Sequence, residues 1–261
     1  MTMPSHLSWL FLRVWYRNLI VYRRIWKVNF LAPLLEPAFY ILAFSLGFRK
    51  LVGGVSYAGV PLSYTEFIAP ALVATAVMWN AFFETTYSSF VRMYYQKTYH
   101  AMLATPLSLE EIIVAEVVWS ATKACAAALI MLAVLTVLGF VRFPLGIAGI
   151  VFAFLGGLAF GAIGMFFTGV IPTVDVFNLP IFLFITPMFL FSGTFFPVST
   201  LPGWAQAASL AFPLYHLVEL MRLVSLGSAE SSALFSILYL TAFFLLFLRL
   251  SLFTMRRRLI K

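Results

Sequence analysis

The chain has 261 residues, of which 63% are hydrophobic and only 10% charged, with a formal net charge of +8 and a mean hydropathy of +1.01. Soluble domains carry about 25% charged residues, so this composition excludes an ordinary soluble protein. The apolar runs are also continuous, unlike the alternating segments of roughly ten residues in a transmembrane β-barrel. We therefore predict an all-α integral membrane protein.

The N-terminal stretch, residues 5–27, interleaves aromatic and basic side chains. This composition predicts an amphipathic interfacial helix, with rings at the headgroups and cations toward anionic membrane lipids. An aromatic belt with basic anchors is the alternative interpretation. The stretch lacks the charged-apolar-small order of a cleavable signal peptide.

Six segments are apolar enough to cross the hydrocarbon core, which takes about 20 residues of helix. Ser63-x-x-Glu66 and Ser108-x-x-Glu111 form capping boxes that open the second and third of them, because the serine and glutamate satisfy free N–H groups at a helix start. The predicted spans are 30–48, 66–90, 109–138, 145–170, 175–191 and 233–253.

The stretch after the fifth span carries no charge between Asp175 and Glu219 and is punctuated by prolines. It is too long for one span and too short for two. We predict that residues 196–224 re-enter the membrane as short helices, near Leu201–Leu210 and Leu214–Val224. Irregular backbone at that depth requires shielding by protein or water.

Lysine and arginine set the orientation, because they concentrate on the cytoplasmic side. Five precede the first span, two lie between the second and third, and four close the chain, against four on the other side. Both termini are therefore predicted to be cytoplasmic. The cytoplasmic set is Arg13, Arg17, Arg23, Arg24, Lys27, Arg92, Lys97, Arg256, Arg257, Arg258 and Lys261; the opposite set is Arg49, Lys50, Arg142 and Arg222.

Sequence signatures of catalysis do not occur. There is no GxxxxGK[ST], HExxH or GxSxG, and the three histidines are far apart in sequence. No catalytic, cofactor-binding or metal-binding residues are predicted, and a nucleic-acid partner is not expected. The energy for any work must come from a partner or an ion gradient.

Several charges fall inside the predicted spans, where they are functional candidates by default. Glu116 and Lys123 lie seven residues apart with Trp119 between them, so the three share one helix face. Glu84 on the second span is at a depth similar to Glu116. With Trp79, these residues are interpreted as a substrate path or a lock between spans two and three; an ion pair that only orients the helices is the alternative.

Small residues recur every four positions in the fourth span, at Ala153, Gly157 and Gly161. Such spacing lets two helix backbones approach closely. Packing within the chain and contact with a second copy both remain open.

A polar segment, Arg92–Glu111, interrupts the apolar sequence. Residues 101–105 favour a short helix that Pro106 ends. Such a helix, lying parallel to the membrane, would present Tyr99, Met102 and Leu103 to a docking cleft. An ordinary connecting loop is the alternative.

The motifs taken together resemble a known family. They are Leu35-Glu36-Pro37, Phe82-Phe-Glu-Thr-Thr-Tyr87, Leu103-Ala-Thr-Pro-Leu107, Glu116-Val-Val-Trp119, Ser192-Gly-Thr-Phe-Phe-Pro197 and Leu201-Pro-Gly-Trp204. Across nearly the whole chain the sequence resembles the ABC-2 type permeases, and within them the NodJ-like lipo-oligosaccharide export permeases.

The resemblance implies a six-span half-transporter in the bacterial cytoplasmic membrane that exports an amphiphilic substrate. Two permeases, a homodimer, would work with two ATP-binding-cassette subunits, which would hold the ATP and Mg²⁺. Residues 99–106 would be the coupling helix on the ATPase, and the re-entrant segment would form the outer gate. The implied coupling residues are Tyr99, His100, Ala101, Met102, Leu103, Ala104, Thr105 and Pro106; the implied gate residues are Phe196, Pro197, Leu201 and Pro202.

Two other functions compete with this interpretation. An ion-driven secondary transporter would show inverted repeats, and no convincing repeat occurs between the halves. An intramembrane lipid-modifying enzyme would need a cluster of His, Asp or Ser near one interface, which the scattered histidines His6, His100 and His216 do not supply.

Overall fold

The structure is a computed structural model that describes residues 8–47, 54–141, 148–227 and 231–260. In this part of the chain it is almost entirely helical, with one short β-hairpin. The elements are α1 Phe11–Gly47, β1 Val55–Tyr57, β2 Val60–Leu62, α2 Tyr64–Tyr95, α3 Thr98–Leu103, α4 Leu109–Val137, α5 Gly149–Val170, α6 Val174–Phe191, α7 Gly203–Leu210, α8 Pro213–Leu226 and α9 Ala233–Leu259.

The first helix is longer than the sequence suggested. The predicted interfacial helix 5–27 and first span 30–48 form one continuous helix, α1, over the residues described, because no glycine or turn sequence separates them. Its 37 residues give a length of about 55 Å at 1.5 Å per residue. A bilayer core is about 30 Å thick, so α1 extends beyond the hydrocarbon.

Among the described residues, five helices are long and apolar enough to cross a membrane: α2, α4, α5, α6 and α9. They coincide with the second to sixth predicted spans. The pair α7–α8 is bent by 84° at a short break, as expected for a broken span or a re-entrant loop. It falls within the predicted segment 196–224. The described helices therefore confirm the all-α membrane fold, while the entry of α7–α8 into the bilayer stays a prediction.

Both predicted capping boxes are present. Ser63 accepts a hydrogen bond from the Glu66 backbone and the Glu66 side chain accepts one in return, which fixes the start of α2. Ser108 and Glu111 do the same for α4. These reciprocal bonds satisfy N–H groups that a helix start otherwise leaves unpaired.

The second half of α2 departs from regular α-helix. It contains π-helical turns at Glu84–Ser88 and Val91–Tyr95. Thr85 and Thr86 donate hydrogen bonds to backbone carbonyls one turn back, which competes with the regular pattern. Thr168 of α5 in turn donates to the Thr85 carbonyl at 2.7 Å. The helix thus continues to Tyr95, five residues beyond the predicted end.

Helix α5 lies at the centre and packs against α2, α4, α8 and α9. A Cβ added to Gly157 would lie 2.7 Å from the Ala121 Cα of α4, and one added to Gly161 would collide with Ser120 of α4. The glycines therefore serve packing within the chain, which decides the alternative left open by the sequence.

The helix bundle has two ends, which we name by the elements that lie there. The end that holds α3 also holds the start of α4 and the ends of α2, α5 and α9; we call it the α3 end. The opposite end, called the hairpin end, holds β1–β2, α7 and the start of α9. Contacts within each end connect elements that are far apart in sequence.

Replacing Gly157 with alanine should destabilise the protein, because the added methyl group must push α4 and α5 apart. The expected loss in unfolding free energy is about 1–3 kcal/mol, despite the better helix propensity of alanine. Thermal unfolding in neutral detergent measures it. Gly203→Ala is the control, since nothing lies within 4 Å of that site; equal stability of the two variants would contradict the close approach.

Candidate functional site

Glu84, in the π-helical part of α2, is the hub of an ion-pair network near the α3 end. Its carboxylate accepts from Lys123 Nζ of α4 at 2.9 Å and from Arg92 Nη1 at 2.9 Å. It also accepts from the Trp119 indole at 3.1 Å. Glu84 is only 4% exposed. These contacts bring Glu84 of α2 together with Trp119 and Lys123 of α4, while Lys123 forms no ion pair with Glu116 among the described residues.

Arg92 extends the network to Glu116, which is fully buried. Its guanidinium reaches both Glu84 and Glu116 and donates to Ser89 at 3.1 Å. The Glu116 carboxylate also accepts from Ser89 at 2.8 Å and from Asn18 of α1 at 3.1 Å. The network therefore joins α1, α2 and α4.

The position of Arg92 corrects the sequence analysis, which placed this residue in an exposed cytoplasmic loop. Because α2 continues past residue 90, Arg92 lies on its final turns and is 14% exposed. Two buried carboxylates in an apolar protein need cationic partners, and Arg92 is the group that serves both. Removing either partner would leave an unpaired charge in a desolvated site.

A cavity of about 420 Å³ borders the network on the side of α1. It is lined by Arg17, Tyr22 and Trp119 among others, and it reaches Glu84 and Lys123. A second cavity of about 450 Å³ shares Glu84, Ser88 and Lys123 with the first. The two cavities adjoin at these three residues, and we call them together the recess; only the first is lined by Arg17 and Arg92, and only the second by Trp79 and Phe83.

Trp79, the remaining predicted path residue, lines the second cavity. Its ring stacks on Phe83 with centroids 5.0 Å apart, and Asn80 lies beside them. It does not join the ion-pair network in the described residues. The five predicted path residues thus divide into a charged cluster and an aromatic wall.

Helix α3 occupies the predicted coupling segment, and a turn of residues 104–106 follows it. Tyr99 is fully buried and Met102 is 8% exposed, so the prediction that they face a docking cleft is wrong. They pack with Phe90 and Ile112 because they are the apolar side of a short amphipathic helix. The exposed residues are His100, Ala101, Ala104, Thr105 and Pro106, and Leu103 is half-buried.

Tyr99 connects α3 to the network. Burial raises the pKa of its hydroxyl well above the usual range, and the nearby Glu116 charge raises it further. Tyr99 is therefore uncharged; its buried hydroxyl forms no hydrogen bond with a described residue but lies close enough to Glu116 and Arg92 for their charges to act on it. A displacement of α3 would therefore change the electrostatic surroundings of Arg92 and Glu116.

The start of α1 is also tied to α4. Ser8 donates from its backbone N–H to Glu111 Oε1 at 3.1 Å, and the Trp15 indole donates to Thr122 Oγ1 at 3.0 Å. With the Asn18–Glu116 bond, these contacts fix more than two turns of α1 against α4. The α1 segment, α3 and the network therefore form one connected unit.

A second buried cluster lies at the hairpin end, around Arg222 of α8. The guanidinium is stacked 3.9 Å from the centroid of the Phe67 ring and 4.9 Å from that of Tyr57, and it donates to the Gly193 carbonyl at 2.6 Å. Glu219 lies 3.5 Å from it and accepts from the Tyr57 hydroxyl at 2.6 Å. This cluster joins the hairpin, α2, α8 and the turn after α6.

The predicted gate residues lie in the connection from α6 to α7. Phe196 and Pro202 are exposed, Leu201 is half-buried and Pro197 is buried. They follow Gly193, whose carbonyl binds Arg222, so the cluster positions the segment. Their part in gating stays a prediction.

Sequence reasoning missed Arg92, Asn18 and the hairpin-end cluster. Glu219 and Arg222 are three residues apart in an otherwise apolar helix, and this i,i+3 spacing is a signal for a local ion pair. Nothing in the spacing of Asn18 indicates its partner, which is 98 residues away.

Relatives of known name match most of the chain. It is 35% identical over 261 residues to a nodulation protein J of Rhizobium leguminosarum bv. viciae, covering 100% of this chain and 98% of that protein. The bv. trifolii protein of the same name is 38% identical over 221 residues, 85% of this chain and 82% of that protein. The inner membrane transport permease YadH of Escherichia coli is 24% identical over 231 residues, covering 85% of each.

The family model described as ABC-2 type transporter matches residues 10–226. This range includes α1, the ion-pair network, α3 and the bent pair α7–α8. The resemblance deduced from the motifs is confirmed, and a transport permease is favoured over an intramembrane enzyme. The chain is a multi-pass membrane permease that belongs to the ABC-2 type transporter family.

Proposed function

We propose that this permease exports an amphiphilic substrate across the cytoplasmic membrane, using ATP hydrolysed with Mg²⁺ by a separate ATP-binding-cassette subunit. The observation that carries the proposal is the connection from the exposed side of α3, through buried Tyr99, to the Arg92 network beside the recess. Movement imposed on α3 would reach the site where substrate binds.

The ATPase contact is proposed for the exposed side of α3 and its following turn, the residues His100, Ala101, Ala104, Thr105 and Pro106. Tyr99, Met102 and Leu103 then support this surface from within. The α3 end would be cytoplasmic, with both termini on that side, in agreement with the distribution of arginine and lysine. Two permeases, a homodimer, would pair with two ATPases.

The substrate would enter the recess between α1, α2 and α4. ATP-driven closure of the ATPase dimer would shift α3 and the attached start of α1, and the paired charges on α2 and α4 would separate or move together. The cargo would leave past the α6–α7 connection at the hairpin end. Lipo-oligosaccharides are the amphiphilic class that the resemblance to the NodJ-like permeases implies, and relatives named nodulation protein J match most of the chain.

Ala101→Glu tests the ATPase contact. Ala101 is exposed on α3, so a new carboxylate leaves the fold intact but is desolvated in the interface. When the permease is co-expressed with its ATP-binding subunit, co-purification of that subunit should fall at least about tenfold. Membrane levels of the permease should not change.

The matched control is Ala207→Glu, the same substitution at an exposed position of α7, at the other end. It should co-purify the ATPase as wild type does. Undiminished recovery of the ATPase with Ala101→Glu would reject this surface as the contact.

Glu84→Gln tests the network as a lock between α2 and α4. It leaves Arg92 with Glu116 alone and Lys123 without a carboxylate partner among the described residues, so the unfolding free energy should fall by about 3–5 kcal/mol and export should be lost. Lys123→Gln should cost less, because Lys123 is 22% exposed and Glu84 keeps Arg92. The double variant Glu84→Gln/Lys123→Gln should regain part of the stability, measured by unfolding in neutral detergent.

Arg256→Gln provides the comparison for this experiment. Arg256 pairs with Glu110 at the α3 end but is 53% exposed, so its loss should cost less than about 1 kcal/mol. Strict additivity of the Glu84 and Lys123 effects would show that the two residues are not coupled.

A further inference from the structure

The recess beside the network carries more positive than negative charge. Arg17, Arg92 and Lys123 are the cations among its described lining residues, and Glu84 is the carboxylate. Glu116 adds a second carboxylate behind Arg92. Three cations therefore face two anions, and one positive charge has no counterpart among the residues that the structure describes.

Arg17 carries the positive charge that has no counterpart. Arg92 and Lys123 are engaged with Glu84 and Glu116. Arg17 donates a hydrogen bond to Asn18 Oδ1 at 2.9 Å and forms no ion pair with any described residue. Its guanidinium lines the first cavity and is partly exposed. It retains donors for an incoming anion.

The two cavities differ in which residues line them: Arg17 and Arg92 line only the first, and the Trp79–Phe83 stack lines only the second. The first cavity, about 420 Å³, is lined by Arg17, Lys123, Tyr22 and Trp119 among others. The second, about 450 Å³, presents the stacked rings of Trp79 and Phe83. Each volume lies within the range of about 300–1,000 Å³ that small-molecule sites occupy. A ligand with an anionic head and an apolar body matches this separation of the arginines from the Trp79–Phe83 stack.

We propose that the recess binds an amphiphile with an anionic headgroup, such as a phosphate monoester, and that Arg17 is the residue that selects the anion. The headgroup lies between Arg17 and Lys123, and the apolar part lies against Trp79 and Phe83. An arginine fork provides two parallel donors to a phosphate or carboxylate. This inference rests on the proposed function only in treating the bound amphiphile as cargo.

The test measures binding to the full-length permease, purified in neutral detergent without any ATPase. The probes are dioctanoyl phosphatidic acid, dioctanoylglycerol with the same acyl chains, and inorganic phosphate. We expect the phosphatidic acid to bind at least tenfold more tightly than either of the other two. Arg17→Gln should reduce its affinity about tenfold, while Arg17→Lys should retain most of it. Native mass spectrometry or tryptophan fluorescence reports the binding.

Arg23→Gln is the matched control. Arg23 is exposed on α1, less than two turns from Arg17, but does not line the recess. It should bind the phosphatidic acid as wild type does. An equal loss in the two variants would overturn the proposal in favour of general attraction of anionic lipid to α1.

Two further outcomes would also overturn the proposal. Equal affinity for phosphatidic acid and dioctanoylglycerol would show that the negative charge of the headgroup does not contribute to binding. If inorganic phosphate bound as tightly as phosphatidic acid, the acyl chains of the ligand would not contribute to binding. Because the assay contains no ATPase, its result is independent of the Ala101→Glu experiment, so failure of the ATP-driven mechanism and failure of anion selection are distinguishable.

Discussion

The desolvation of charge governs the α3 end of this permease. Two carboxylates, Glu84 and Glu116, are withdrawn from water on neighbouring helices, and each needs a cation within hydrogen-bonding distance. Arg92 is the shared partner, and its position requires α2 to continue through its π-helical turns to residue 95. This requirement accounts for the extension of α2 to residue 95, for the packing of α3 beside it, and for the attachment of α1 through Asn18.

Small residues make the arrangement possible. The close contact of Gly157 with Ala121 brings α5 against α4, and Thr168 of the same helix satisfies a carbonyl that the π-helical turn of α2 releases. Helix α5 thus supports both helices that carry the network. Helix α5 therefore provides both hydrogen bonds to polar groups and close backbone packing. These are the typical means of stabilising helix contacts in an apolar environment.

The sequence was most informative where local chemistry decides the structure. The serine–glutamate boxes predicted the starts of α2 and α4, because capping depends on neighbouring residues only. Long apolar runs predicted the membrane helices, and helical spacing placed Lys123 near Glu84. The family could also be deduced from motifs that lie within the matched range.

The sequence was least informative where contacts between residues far apart in the chain decide the structure. Arg92 was assigned to water because its immediate neighbours are polar, whereas its partner Glu116 is 24 residues away. The orientation of α3 was inverted for the same reason: Tyr99 and Met102 are apolar enough for a partner or for the core, and only the tertiary structure distinguishes the two.

The cluster around Arg222 has a different consequence from the pairs at the α3 end. The Arg222 side chain is 1% exposed and is covered by the rings of Tyr57 and Phe67, so dissolved ions cannot reach it. Screening acts on charges in contact with water, as at Arg256, and much less on enclosed ones. A rise in salt concentration would therefore leave the strength of the Arg222 cluster unaltered, while the exposed Arg256–Glu110 pair would weaken.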